Sequence, residues 1–242
     1  MSSQSVKIVS FSGIDGAGKS TQINALCERA RELGLRCSVL TFWDNVVAFS
    51  RFREKVSTKA FKGDAGVGSP EKPIQRRDKN VRKWYVTGIR LFLYMVDAFS
   101  LTSTVSRVLN GDADIVIFDR YIYDELANLP LQRFTIRLYV RLLMVLVPRP
   151  DIALLLDADP AEATRRKPEY PIDFVRRNRE AYLCLSRIVP DITVVPPLPI
   201  ERTTESIRKI LTENLQEECS ELPVNATISS PMSPHTAKTS ND

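Results

Sequence analysis

Gly13-Ile14-Asp15-Gly16-Ala17-Gly18-Lys19-Ser20 matches the pattern G-x-x-x-x-G-K-[ST] at every fixed position. Its glycines permit backbone turns that a side chain would forbid, so successive N–H groups can converge on a polyphosphate. Lys19 adds a mobile positive charge. Ser20 opens a helix whose N-terminus presents unpaired N–H groups and a partial positive charge, and its hydroxyl is a candidate Mg²⁺ ligand. The flanks agree with this reading. Val6, Ile8, Val9 and Phe11 form a short apolar strand before the loop, and Ile23, Leu26, Cys27 and Ala30 recur at helical spacing after it. Strand, loop and helix in that order mark a phosphate-binding loop rather than an incidental glycine-rich turn.

The rest of the chain supplies the sheet that such a loop requires. Gly34 stops the first helix, and Arg36 to Trp43 reads as a second strand ending at Trp43-Asp44-Asn45. Asp44 then has two readings, as a carboxylate facing the loop or as the cap of the next helix. Trp84 to Leu109 carries a long apolar helical pattern. Asp114-Ile115-Val116-Ile117-Phe118-Asp119-Arg120-Tyr121 is an unbroken apolar strand ending in an acid and a base. Asp119 is a candidate ligand for Mg²⁺ through water, and Arg120 offers a two-pronged guanidinium to an acceptor phosphate. The plainer reading is an Asp–Arg pair that ties off the strand.

Ile152 to Leu156 repeats the buried-strand pattern and ends at Asp157, after which Asp159-Pro160-Ala161-Glu162 supplies a helix N-cap, a first-turn proline and an acid. That helix closes on Arg165-Arg166-Lys167. Pro168-Glu169-Tyr170-Pro171 breaks it before Asp173 to Val189 resumes with Arg176 and Arg177. Cations around a proline-rich break over 163–179 suggest a lid that neutralises a transferring phosphoryl group, against the alternative of a solvated helix surface. Ile192 to Val195 makes a fifth strand and Ile200 to Leu215 a last helix. The expectation is a P-loop NTPase fold: one α/β domain over 1–215, with a five-stranded parallel sheet and helices on both faces.

Two segments fall outside that scheme. Residues 50–83 hold eleven Lys and Arg against four acids, with a glycine-rich tract, and read as a mobile basic excursion, either solvated or covering a substrate. From 216 to 242 the composition turns to Ser, Thr, Pro, Asn and acids, which reads as a disordered tail. The one histidine, His235, lies there, so a histidine base or metal site in the core is not expected.

With 242 residues, 43% hydrophobic and 26% charged, the chain suits one sizeable core. A net charge of +5 and a pI near 9.1 favour anionic partners without choosing among them. Cys27, Cys37, Cys184 and Cys219 show no C-x-x-C spacing, so neither a zinc site nor a disulfide framework is indicated, and a reducing, cytoplasmic setting is expected. Met1 to Ser5 lacks the pattern of a secretory signal. Ile89 to Val105 carries Arg90 and Asp97, and Leu138 to Val147 is too short to span a bilayer. Arg133, Arg137 and Arg141 follow the spacing of an amphipathic surface helix, yet membrane association is not the expectation. The long apolar helix leaves room for a homodimer.

Phe11-Ser12 with the loop and Thr21-Gln22, then Asp119-Arg120-Tyr121 and Leu156-Asp157-Ala158-Asp159-Pro160, together resemble the thymidylate kinase family over about residues 6 to 215. The resemblance implies ATP as donor, Mg²⁺, Asp15 near the acceptor's sugar hydroxyl and phosphate, Arg120 on the acceptor phosphate, and Arg165 and Arg166 on the transferred group. It also implies that Gly13, Ile14, Asp15, Gly16, Ala17, Gly18, Lys19, Ser20 and Thr21 hold the ATP phosphates, with Ser20 and Asp119 toward the metal. The default reaction is conversion of dTMP to dTDP.

Other marks of the family are missing: Ser12 replaces an acid before the loop, and Thr41-Phe42-Trp43-Asp44 replaces an Arg-Glu-Pro-Gly run. Where the base is read, Asp97-Ala98 replaces Asp-Arg, and Asp124 and Glu125 stand where small polar residues are usual. Thymine recognition is therefore expected to be altered. Two alternatives stay open: phosphorylation of a hydroxyl on a nucleoside or other small molecule with Asp44 or Asp15 as base, and a catalytically silent nucleotide-binding module. An Asn-Lys-x-Asp guanine-reading run is missing, which argues against a GTPase switch, and no nucleic-acid partner is expected.

Overall fold

Strands of alternating or continuous Val, Ile, Leu and Phe build the sheet. They are β1 (Lys7–Ser12), β2 (Cys37–Thr41), β3 (Ile115–Asp119), β4 (Ile152–Leu156) and β5 (Ile192–Val195), all parallel and ordered β2-β3-β1-β4-β5. The computed structural model describes residues 6–46 and 84–220, with side chains described from 87 to 214 in the second stretch. The basic 50–83 excursion lies outside the described residues, as does 221–242 with His235.

Successive side chains on a strand point to opposite faces, and both faces are covered. Ile8, Val116, Phe118, Ala153 and Leu155 face one core; Val9, Phe11, Ile117, Ile152, Leu154 and Leu156 face the other. The first core is closed by α3 (Trp84–Leu109), α4 (Ile122–Leu126), α5 (Phe134–Leu146) and α7 (Ile172–Ser186), through residues such as Leu101, Leu126, Val140 and Leu185. The second is closed by α1 (Lys19–Glu32) through Ile23 and Cys27 and by α8 (Ile200–Ser220) through Ile207. This is the expected five-stranded P-loop architecture.

Several boundaries differ from the sequence reading. The second strand stops at Thr41, because Phe42–Asn45 turns into a short helix, α2, whose Phe42 is wholly buried. The third strand is confined to Ile115–Asp119, and the last helix runs on to Ser220. Cys27 and Cys37 are free, with their sulfurs 2.9 Å apart, and burial together with Cys27 pushes the Cys37 thiol up to about 12. Among the described residues no helix is long and apolar enough to cross a membrane. Pairing of two copies through α3 has no support in the structure.

Candidate active site

The strand order places the site. β1 lies between β3, reached by way of β2, and β4, which begins the opposite half, so the connections after β1 and β3 leave in different directions and open a crevice at the carboxyl ends. The register sets Phe11 opposite Asp119 and Ser12 opposite Leu155, bringing the loop, the end of β3 and the end of β4 to one level.

The loop is fixed by close backbone contacts. Gly13 has φ 139° and a Cβ there would sit 2.5 Å from the Leu156 carbonyl oxygen. Gly16 has φ 84°, and its Cβ would lie 2.4 Å from the Ala163 carbonyl oxygen. Both positions thus need glycine for conformation and for space. The Ala17 N–H donates to the Ile14 carbonyl at 3.2 Å, and Ile14 is buried. Lys19 is 7% exposed and folds back so that Nζ donates to the carbonyls of Gly13 at 2.8 Å and Ile14 at 3.0 Å. Burial, then the charge of Arg120, lowers this ammonium from 10.5 to about 8, against the opposing pull of Asp124, Asp15 and Asp119. Ser20 and Thr21 lie exposed in the first turn of α1, which contains no acid, so the positive end of the helix is left for an anion.

Arg120 lies beside the loop. Its φ of 71° is the one positive value at a non-glycine among the described residues, and its N–H donates to the Phe11 carbonyl at 2.9 Å. The side chain, 23% exposed, donates through Nη2 to Asp15 and lies 3.5 Å from Asp124 through Nη1. Desolvation works against its charge, but Asp124 and Asp15 more than offset that and hold the guanidinium above its ordinary range. Asp119 and Ser20 offer a carboxylate and a hydroxyl. No group of three or more acids, histidines or cysteines among the described residues forms a metal cage. That donor set suits Mg²⁺, which keeps several waters and takes few protein ligands beside substrate phosphates.

The residues expected to form a lid divide. α6 (Pro160–Arg166) begins at Asp159, which accepts from the Ala161 and Glu162 N–H groups. At its end Arg166 donates to the Gly16 carbonyl at 3.3 Å and pairs with Glu162, while Lys167 lies 3.9 Å from Asp15. Arg165 is 75% exposed and pairs with Glu162 at 3.0 Å. Arg176 is a surface partner of Asp173, and Arg177 is exposed. Asp44 is exposed in the first turn of α2.

Three features escaped the sequence reading. Arg179 makes two bonds of 2.6 and 2.7 Å to Asp157 at the end of β4, and its place on the same α7 face as Val175 and Tyr182 was the available signal. Ser12 and Tyr182 both donate to Asp124, at 2.7 and 2.6 Å. Asp124, expected among the altered base-reading positions, is instead 5% exposed and turned onto these partners. Glu125 is likewise buried and hydrogen-bonds Tyr94, whose hydroxyl is pushed well above its ordinary range by burial and then by Glu125.

No family model matches the chain. Similar proteins do. A probable thymidylate kinase of Archaeoglobus fulgidus is 25% identical over 213 residues, covering 84% of this chain and 94% of that protein. One from Thermococcus gammatolerans is 27% identical over 201 residues, covering 77% and 86%. The solved thymidylate kinase of Candida albicans shares the fold with a TM-score of 0.58 at 19% identity, covering 87% of this chain and 93% of that one. With the loop and Asp119-Arg120 assembled on that fold, the chain is similar in sequence and architecture to these thymidylate kinases.

Proposed function

We propose that this protein transfers the γ-phosphoryl group of ATP to a nucleoside monophosphate, with dTMP as the default acceptor. The observation that carries the reading is Arg120, held in a left-handed conformation against β1 and bonded to Asp15 of the loop. A guanidinium so placed can exchange a carboxylate for an acceptor phosphate without moving its backbone. The loop N–H groups, Lys19 and the first turn of α1 would hold the donor phosphates, and Ser20 and Asp119 would hold Mg²⁺, which neutralises the polyphosphate when bound. Arg166 and Lys167, near Gly16 and Asp15, would bring positive charge to the transferred group. An acceptor phosphate is already ionised near neutral pH, so this reaction needs positioning charges but no general base.

A turnover screen of nucleoside monophosphates beside nucleosides and simple sugars, with ATP and Mg²⁺, tests the reading. Monophosphate turnover that survives Asp44→Asn, with Arg120→Lys lowering turnover and leaving ATP affinity in place, supports it. Phosphorylation confined to hydroxyl acceptors and abolished by Asp44→Asn overturns it.

A further inference from the structure

Asp124 is a heavily bonded carboxylate, and its four partners are all donors. It accepts from the Ser12 hydroxyl at 2.7 Å, the Tyr182 hydroxyl at 2.6 Å, the Tyr121 N–H at 3.1 Å and Arg120 Nη1 at 3.5 Å. These donors come from four places: the last residue of β1, the helix that follows the lid, the N-cap of α4 and the turn after β3. Ser12 precedes the first loop glycine, so one buried side chain ties the loop's entry to Arg120 and to α7. A carboxylate with this many donors and 5% exposure has no capacity left to read an acceptor base.

Arg120 explains what such a group is for. Its guanidinium reaches Asp15 through Nη2 and Asp124 through Nη1, and it carries long-stemmed rotamer freedom that a single ion pair would leave largely unspent. Asp124, anchored by three other donors, is the fixed side of this fork; Asp15, on the loop itself and also approached by Lys167, is the exchangeable side. We infer that Asp124 is a positioning residue that holds the Arg120 guanidinium in register for the acceptor phosphate, with Ser12 and Tyr182 fixing the carboxylate in turn. The inference rests on the proposed monophosphate acceptor. It differs from a purely structural role, in which Asp124 would only cap α4 and cement the core.

The test is a double-mutant cycle of Asp124→Asn and Arg120→Lys, read as acceptor KM, kcat and ATP affinity, with the melting temperature of each variant. Asp124→Asn is expected to raise the acceptor KM roughly tenfold, as for one hydrogen bond to a charged group, with ATP affinity held. Combined with Arg120→Lys it should add little, because the second change removes what the first acts through. Tyr182→Phe, which keeps the carboxylate and loses one hydroxyl, gives a gentler variant should Asp124→Asn fail to fold; an acceptor KM raised about threefold at constant ATP affinity is expected. Fully additive effects in the cycle, or a lowered melting temperature with an unchanged acceptor KM, overturn the inference. Wild-type protein that turns over no monophosphate overturns the proposed function and this inference together, so the two failures are told apart before any variant is made.

Discussion

The glycine-rich loop and the segment from Arg165 to Lys167 both carry cations, but those charges are held in opposite ways. In the loop, Gly13 and Gly16 press against the carbonyls of Leu156 and Ala163, and Lys19 is buried on its own backbone. At the end of α6, Arg165 and Arg166 share Glu162 at the surface, while Arg166 and Lys167 reach toward the loop. Loop geometry is therefore set by backbone sterics that admit no substitute. The charges of Arg165 and Arg166 rest on exposed pairs that contribute little to stability.

The largest break in this contrast is expected at Gly16. An added methyl would meet the Ala163 backbone at 2.4 Å as well as the strain of φ 84°, so Gly16→Ala should cost about 3 to 5 kcal/mol by strain plus overpacking. The measurement is thermal unfolding, with a fall of roughly 10 °C expected. Gly18, at φ 89° with nothing within 4 Å of its Cβ position, isolates the strain alone, so Gly18→Ala should lose less than half as much. Equal losses would show that space around the loop does not matter.

Next comes the pH behaviour of Lys19. Its folded pKa of about 8 lies below the ordinary 10.5, so the folded protein releases this proton earlier than the unfolded chain does. Below pH 8 the group opposes folding, by ~3 kcal/mol at most, and that opposition is relieved as pH rises from 8 to 10.5. The stability of Lys19→Met relative to wild type should therefore be greatest below pH 8 and shrink above it, as denaturant unfolding at several pH values will show. ATP affinity should weaken in the wild type as pH rises past 8, since the neutral amine no longer attracts phosphate.

The smallest effects belong to the lid and sharpen the comparison from its other side. Arg166→Ala should slow single-turnover phosphoryl transfer about tenfold or more, whereas Arg165→Ala should change it by less than about threefold, with neither variant shifting the melting temperature by more than a degree or two. Equal rate losses would mean that Arg165 swings into the crevice during turnover.

How much could be read beforehand follows the same division. The loop, the end of the strand at Asp119 and the Asp159 cap were legible because each is local: a few adjacent residues fix the conformation. The end of the second strand was misread because Phe42 and Trp43 suit a strand by composition, while burial of Phe42 under the first core made a helical turn the better fit. Asp124 was misjudged because its partners Ser12 and Tyr182 lie 112 and 58 residues away. In sequence it was an extra carboxylate near the acceptor; in the fold it is a saturated acceptor beneath Arg120.

A glycine-rich turn between a strand and a helix was written in the sequence, since the allowed φ of glycine and the N–H groups of a helix start are properties of neighbouring residues. Tertiary structure alone decided which charges meet there. The order β2-β3-β1-β4-β5 carries Arg120 to Asp15, Arg166 to Gly16 and Arg179 to Asp157, pairings that no local spacing encodes. The physical reason is that a charge's worth depends on its burial and its partner, and both are set only when distant segments pack.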